Sequence, residues 1–321
     1  PKFSFVKFLS LWVVRPGCID LSKSPYAITS NVSTGKLNLA RFNDTKTTDT
    51  ILSNFSTFLK YDNHRLTTNS KFNAYNGNAQ LNNTVTLGSA LPKFQGDFFI
   101  NNFEAADLLK DKLDSKRFSG ATDVRLNYST IGKDANTLIN NLNGHLKINI
   151  TNGYINGADL NNIVQQVNDK VQINPLGLVG FATSILANLI KPADKNSASQ
   201  ERTKIVDLNA TATITNGIVR NNDLIINAPL TKATGSGEIN LAAHKIHYRI
   251  ILSDKNDKSN FNIPILIRGS LDDPSLSVDA TALLNSDLFK SIIKKNVDIK
   301  NIPKNLQLDK VPVLKDLLEK L

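Results

Sequence analysis

Strict alternation of apolar and polar residues recurs through most of this chain, and a period of two fits a strand with one dry face and one wet face. In His145 to Thr151, Leu146, Ile148 and Ile150 share one side, while Lys147, Asn149 and Thr151 share the other. A longer stripe is formed by Val206, Leu208, Ala210, Ala212 and Ile214 against Asp207, Asn209, Thr211 and Thr213. Further stripes are Gly237, Ile239 and Leu241, then Ile246, Tyr248, Ile250 and Leu252, then Phe261, Ile263, Ile265 and Ile267. Upstream, Phe98 and Ile100 are followed by Thr122, Val124, Leu126 and Tyr128. Buried parallel strands would read as unbroken apolar runs, so alternation of this kind predicts antiparallel sheet.

Between the stripes lie Asn76-Gly77, Asn143-Gly144, Asn152-Gly153, Asn156-Gly157 and Asn216-Gly217. Both residue types accept positive φ, so each pair predicts a tight turn, and the connections predict hairpins and meanders. Helical spacing is rarer. Leu160, Ile163, Val164, Val167 and Val171 follow it, with Asp159 as N-cap. The apolar stretch Pro175 to Ile190 is short for a membrane span and is expected to pack against a sheet end. Lys191 to Lys204 reads as a polar loop, and two amphipathic helices are expected over Thr281 to Lys295 and Pro312 to Leu321. The expected organisation is an N-terminal strand segment over 1–30, a β-rich region over 31–279 with a helical insertion at 159–204, and C-terminal amphipathic helices over 280–321.

Composition limits the partners. The chain has 38 Lys and Arg against 28 Asp and Glu, a net +10 that suits an anionic membrane surface or nucleic acid and does not choose between them. The basic residues are interspersed with acidic ones and form no aromatic-laced stripe, which argues against nucleic acid. Cys18 is the single cysteine, so neither a disulfide framework nor a Cys-based metal cluster can form. Residues 1–14 are too short to span a bilayer, and the lack of an initial Met suggests a piece of a longer or processed protein. No catalytic motif emerges. Gly235-Ser236-Gly237 sits in an alternating strand and predicts a close backbone approach or bulge, not a nucleophile elbow. His244 and His247 fall on opposite sides of a strand, and Asp272-Asp273 before Pro274 reads as a turn. The expectation is a non-enzyme without cofactor.

One internal echo stands out: I-N-I-T-N-G-Y-I-N-G-A-D-L over Ile148 to Leu160 and A-T-I-T-N-G-I-V-R-N-N-D-L over Ala212 to Leu224, each read as strand, Asn-Gly turn, strand, Asp-Leu. Three segments, taken in order, resemble the C-terminal region of the AsmA family of bacterial envelope proteins. They are L-N-G-H-L-K-I-N-I-T-N-G-Y-I-N-G-A-D-L from Leu142, the stretch Val206 to Tyr248 with T-N-G-I-V-R-N-N-D-L-I-I-N-A-P and G-S-G-E-I-N-L, and I-P-I-L-I-R-G-S-L-D-D-P-S-L-S-V-D from Ile263 to Asp279. Weaker echoes are G-K-L-N-L-A-R-F from Gly35 and F-N-A-Y-N-G-N-A from Phe72.

The resemblance implies a mainly β fold, an elongated, curled antiparallel sheet forming an open groove with a few amphipathic helices. It also implies a place on the periplasmic side of the bacterial inner membrane, with the anchor outside this chain. The implied role is outer-membrane biogenesis: phospholipid acyl chains carried along the groove between membranes, with influence on outer-membrane assembly and on protein targeting to the membrane. The alternative is a scaffold for outer-membrane assembly proteins. Candidate groove-lining residues are Leu146, Ile148, Ile150, Val206, Leu208, Ile214, Ile239, Leu241, Ile246, Ile250, Ile263 and Ile265. The same residues would fill an ordinary sandwich core, so the arrangement of the faces decides between the two.

Overall fold

The computed structural model describes residues 28–38, 51–113, 118–156, 159–162, 165, 202–255, 262–271, 274–279 and 282. Thirteen strands form one antiparallel sheet in which spatial order equals sequence order. They are β1 (Ile28–Asn38), β2 (Ile51–Asp62), β3 (Arg65–Ala74), β4 (Gly77–Thr86), β5 (Lys93–Glu104), β6 (Phe118–Ile131) and β7 (Asn143–Asn156). The run continues through β8 (Arg202–Thr215), β9 (Ile218–Asn227), β10 (Thr231–Asn240), β11 (Lys245–Asp254), β12 (Asn262–Ser270) and β13 (Pro274–Val278). Among the described residues the sheet does not close into a barrel, and β1 and β13 are its edges. At about 4.8 Å per strand its surface runs roughly 60 Å from edge to edge.

Among the helices of the described residues, two sit at opposite ends of the strands. The α1 helix (Ala105–Leu113) follows β5, and α2 (Ala135–Asn140) joins β6 to β7. Neither stood out by apolar spacing, because each is short and its fixing signal is local. Asp134 caps α2, accepting from the Thr137 N–H at 2.9 Å while the Thr137 hydroxyl lies 3.3 Å from the Asp134 N–H, a reciprocal capping box. The expected N-cap Asp159 is present, with the Asn162 N–H donating to its carboxylate at 3.0 Å. Most of the helix expected after it, the apolar stretch to Ile190, the two C-terminal helices, Cys18 and Asp272-Asp273 lie outside the described residues.

Asparagine bends the sheet as well as turning it. At Asn216-Gly217 both residues have positive φ, 49° and 74°, which is the backbone of a two-residue hairpin turn. At Asn152-Gly153 only Asn152 is left-handed, with φ 51°, and the pair lies inside the single 14-residue strand β7. One left-handed residue makes a bulge rather than a reversal. The echo therefore divides: the second copy is a true hairpin, the first a bulged strand. Asn143-Gly144 opens β7 and likewise is not a turn, whereas Asn76 turns β3 into β4 with Tyr75. The loop expected to run to Lys204 ends sooner, because β8 has begun by Arg202 and buries Thr203 and Ile205.

Register shifts recur at Ser53/Ser56, Ile100/Phe103, Ser119/Ala121, Asn209/Ala212 and Gly235/Gly237. Bulges strand backbone N–H groups, and carboxylates collect three of them. Asp123 accepts from the Asn102 N–H at 2.8 Å, Glu104 from the Gly120 N–H at 2.8 Å, and Asp223 from the Thr211 N–H at 2.8 Å. Extra residues of this kind increase local twist, which lets one long sheet curl.

Candidate functional site

In an antiparallel pair, residues directly opposite share a face, so the register defines what each face of the sheet carries. One row runs through all thirteen strands: Val32, Thr57, Ser70, Leu81, Phe98, Leu126, Leu146, Ala212, Asn221, Gly237, Tyr248, Ile267 and Leu276. A second, from β5 to β12, is Phe103, Thr122, Ile150, Leu208, Ile226, Ala233, Leu252 and Ile263, and every one of these is buried. A third joins Tyr128, Gly144, Ile214, Val219, Ile239 and Ile246. Leu224, Gly235, Ile250 and Ile265 form a fourth. No Asp, Glu, Lys or Arg stands in any of these rows.

The predicted lining residues thus meet on one inner face. Leu146, Ile148, Ile150, Leu208, Ile214, Ile239, Ile246, Ile250, Ile263 and Ile265 all belong to it, and Leu241, just past β10, packs half-buried against the main apolar cluster. Val206 is the exception. It is 44% exposed and lies across from Asn152, between the pairs Thr151–Asp207 and Gly153–Ile205. The left-handed Asn152 interrupts the alternation, so Ile205 and Leu208, three positions apart, both turn inward, and Ile205 is 0% exposed. Ile205 takes the inner place expected of Val206. A strictly two-residue period cannot see that change of phase.

The face is graded. Between β2 and β8 its side chains form one apolar cluster including Phe55, Phe72, Leu81, Phe94, Phe103 and Leu126, with the Phe55 and Phe72 rings stacked at 6.3 Å. From β9 to β13, Leu224, Ile239, Ile246, Ile250, Ile267 and Leu276 are only half-buried. At the strand ends near α1, residues 160 and 161 are tied across the sheet. The Leu160 N–H donates to the Thr203 hydroxyl at 2.7 Å, and the Leu230 N–H to the Asn161 side-chain oxygen at 3.3 Å.

Two cross-sheet straps lie on this face. Tyr128 of β6 spans Gly96 of β5 and donates to Asn83 of β4 at 3.0 Å. Tyr248 of β11 spans Gly237 of β10 and donates to Asn221 of β9. The missing side chains are required: a Cβ on Gly237 would lie 2.6 Å from the Tyr248 ring, and one on Gly96 3.0 Å from the Tyr128 oxygen. This is the close backbone approach expected at Gly235-Ser236-Gly237, together with a bulge. Burial, aided by the charge of Asp223, pushes the Tyr248 phenol up to about 12; burial and Asp97 push Tyr128 higher still.

The outer face is polar. Asp97, Asn127, His145 and Thr213 form one of its rows, and Phe99, Arg125, Lys147 and Thr211 the next. Together they line a shallow depression of about 290 Å³. His247 sits on this face, but His244 lies in the preceding turn with φ 51°, not on the opposite side of a strand as its spacing suggested. Among the described residues, no group of three or more His, Cys, Asp or Glu is placed to hold a metal ion, and no helix is long and apolar enough to cross a membrane.

Among the described residues, the molecule is one thirteen-stranded antiparallel sheet, not closed into a barrel, with an apolar inner face crossed by register rows that carry no charge. The chain belongs to the AsmA family, whose model matches residues 27–224, and the same meander continues beyond the matched segment through β13. No curated protein and no solved structure matches the chain. Membership of this family is consistent with envelope biogenesis or lipid transport in the broad sense.

Proposed function

We propose that this chain is a non-enzymatic carrier or guide for phospholipid between the inner and outer membranes, working on the periplasmic side of the inner membrane. The observation that carries the reading is the absence of charge along register rows that cross the sheet. Burying apolar surface is worth about 25 cal/mol per Å², so a continuous uncharged path accommodates acyl chains at every step. A charged side chain in the path would impose a desolvation barrier. Through lipid supply the protein influences outer-membrane assembly and protein targeting to the membrane.

The test is transfer of a fluorescent phospholipid between donor and acceptor vesicles by the full chain and by Ile250→Asp. Ile250 is half-buried on the inner face, paired with Gly235 and Ile265. The variant is expected to bind and transfer at least tenfold less lipid while staying folded; equal transfer by both proteins would sink the reading. A second reading, a scaffold for outer-membrane assembly proteins, is favoured by β1. Among the described residues this edge strand pairs only with β2, is mostly exposed, and presents Val32 at 45% exposure.

A further inference from the structure

Nearest the β1 edge, the inner face breaks its apolar pattern. Thr57 of β2, Thr68 and Ser70 of β3 and Asn83 of β4 are all buried on it. The register sets Thr57 opposite Ser70 and Thr68 opposite Asn83. Two of the four satisfy each other, since the Thr57 and Ser70 hydroxyls are 2.8 Å apart. Asn83 accepts the Tyr128 hydroxyl at 3.0 Å. Thr68 is left over: it is 2% exposed, and its Oγ1 has no hydrogen-bond partner. Native interiors leave few such groups, and each one calls for an explanation.

The surroundings define what could complete it. The register rows of the inner face contain no cation, so a phosphate drawn in here would lose its water with no countercharge. A neutral acceptor carried on an apolar chain fits instead. Thr68 has an O–H to donate, and the register sets Leu59 opposite it on β2, with Leu66 and Leu81 at the adjoining inner positions as apolar neighbours. We propose that Thr68 is the donor of an ester subsite, holding an acyl-ester carbonyl while the attached chain lies along the apolar rows and the headgroup stays outside. The subsite rests on the lipid-groove reading given above.

The experiment uses the full chain, its Thr68→Val and Thr68→Ser variants, and mixed vesicles holding equal amounts of a diacyl phosphatidylcholine and its dialkyl-ether analogue of the same chain length. Retained lipid is counted by mass spectrometry. The wild type is expected to enrich the diester about fivefold, the worth of one neutral hydrogen bond. Thr68→Val should retain the ether analogue as the wild type does and hold the diester no better than the ether, and Thr68→Ser should keep the preference. Thr68→Val should melt no lower than wild type, because the nearly isosteric change removes an unpaired hydroxyl. A wild type that retains both lipids equally overturns the subsite, leaving Thr68 to a buried water only, while the groove stands. A preference that persists in Thr68→Val overturns it too, because the ester is then read elsewhere. Retention of neither lipid overturns the groove reading, and the subsite with it.

Discussion

The tyrosine straps predict a specific alkaline weakness. Tyr248 has its phenol raised from 10 to about 12 in the fold, and Tyr128 is shifted further in the same direction. For a group whose folded pKa is raised, the stabilising contribution is fully present below the unfolded pKa and is lost as pH rises through the folded value. The window therefore opens near pH 10. Two units correspond to about 2.7 kcal/mol at the limit, but Tyr248 is only half-buried, and screening reduces this to roughly 1–2 kcal/mol. For a chain of this size that is a fall in Tm of about 2–4 °C. The assay is thermal unfolding from pH 8 to 11 for the wild type, Tyr128→Phe, Tyr248→Phe and the double variant. Lysines also titrate in this range, so the quantity to read is the difference between proteins. At pH 8 each Phe variant should lose about 1 kcal/mol, the worth of one buried hydrogen bond. Above pH 10 the gap to wild type should narrow. A double variant with the same alkaline slope as the wild type would refute the straps.

Three further outcomes follow from the geometry. Val206→Asp should leave stability within about 0.5 kcal/mol, whereas Ile205→Asp should unfold the chain or cost more than about 4 kcal/mol; circular dichroism melts that treat the two alike would contradict the change of phase at Asn152. Gly144→Ala should destabilise by about 1–3 kcal/mol or more because its Cβ would fall 2.1 Å from the Asn127 carbonyl, while Gly35→Ala, with nothing within 4 Å, should be neutral in urea unfolding. Asp223 is held below the usual carboxylate range by its Thr211 side-chain and backbone bonds. Its contribution is therefore present at neutral pH and lost as pH falls below about 4, and Asp223→Asn should flatten that acid limb.

Much of the sheet was legible because half-buried strands print their faces in a period of two. The stripes through Leu146, Leu208, Ile250 and Ile263 coincide with inner-face positions, and Asp159 caps as its position before an apolar helical pattern implied. Features that depend on neighbouring strands were not visible. Asn152-Gly153 and Asn216-Gly217 are identical dipeptides, and only the φ of the glycine separates a bulge from a turn. Val206 looked like the start of its stripe because the phase change comes from the bulge opposite it. Strands β2 to β4 were nearly silent, since their inner positions include Thr57, Thr68, Ser70 and Asn83, which read as polar in isolation. The straps join residues 45 and 27 positions apart, so no local window contains both ends. An isolated tyrosine, glycine or asparagine gives no sign of its partner two strands away.

The central claim is that lipid travels on the inner face. Its most direct test places a photo-crosslinking residue at Ile148 and Ile250, and separately at their outer-face neighbours Lys147 and Arg249, in the presence of phosphatidylcholine vesicles. Lipid adducts are then quantified by mass spectrometry. The groove account predicts adducts at positions 148 and 250 at least tenfold above those at 147 and 249. Equal adducts on the two faces, or none at 148 and 250 in a folded protein, would contradict it.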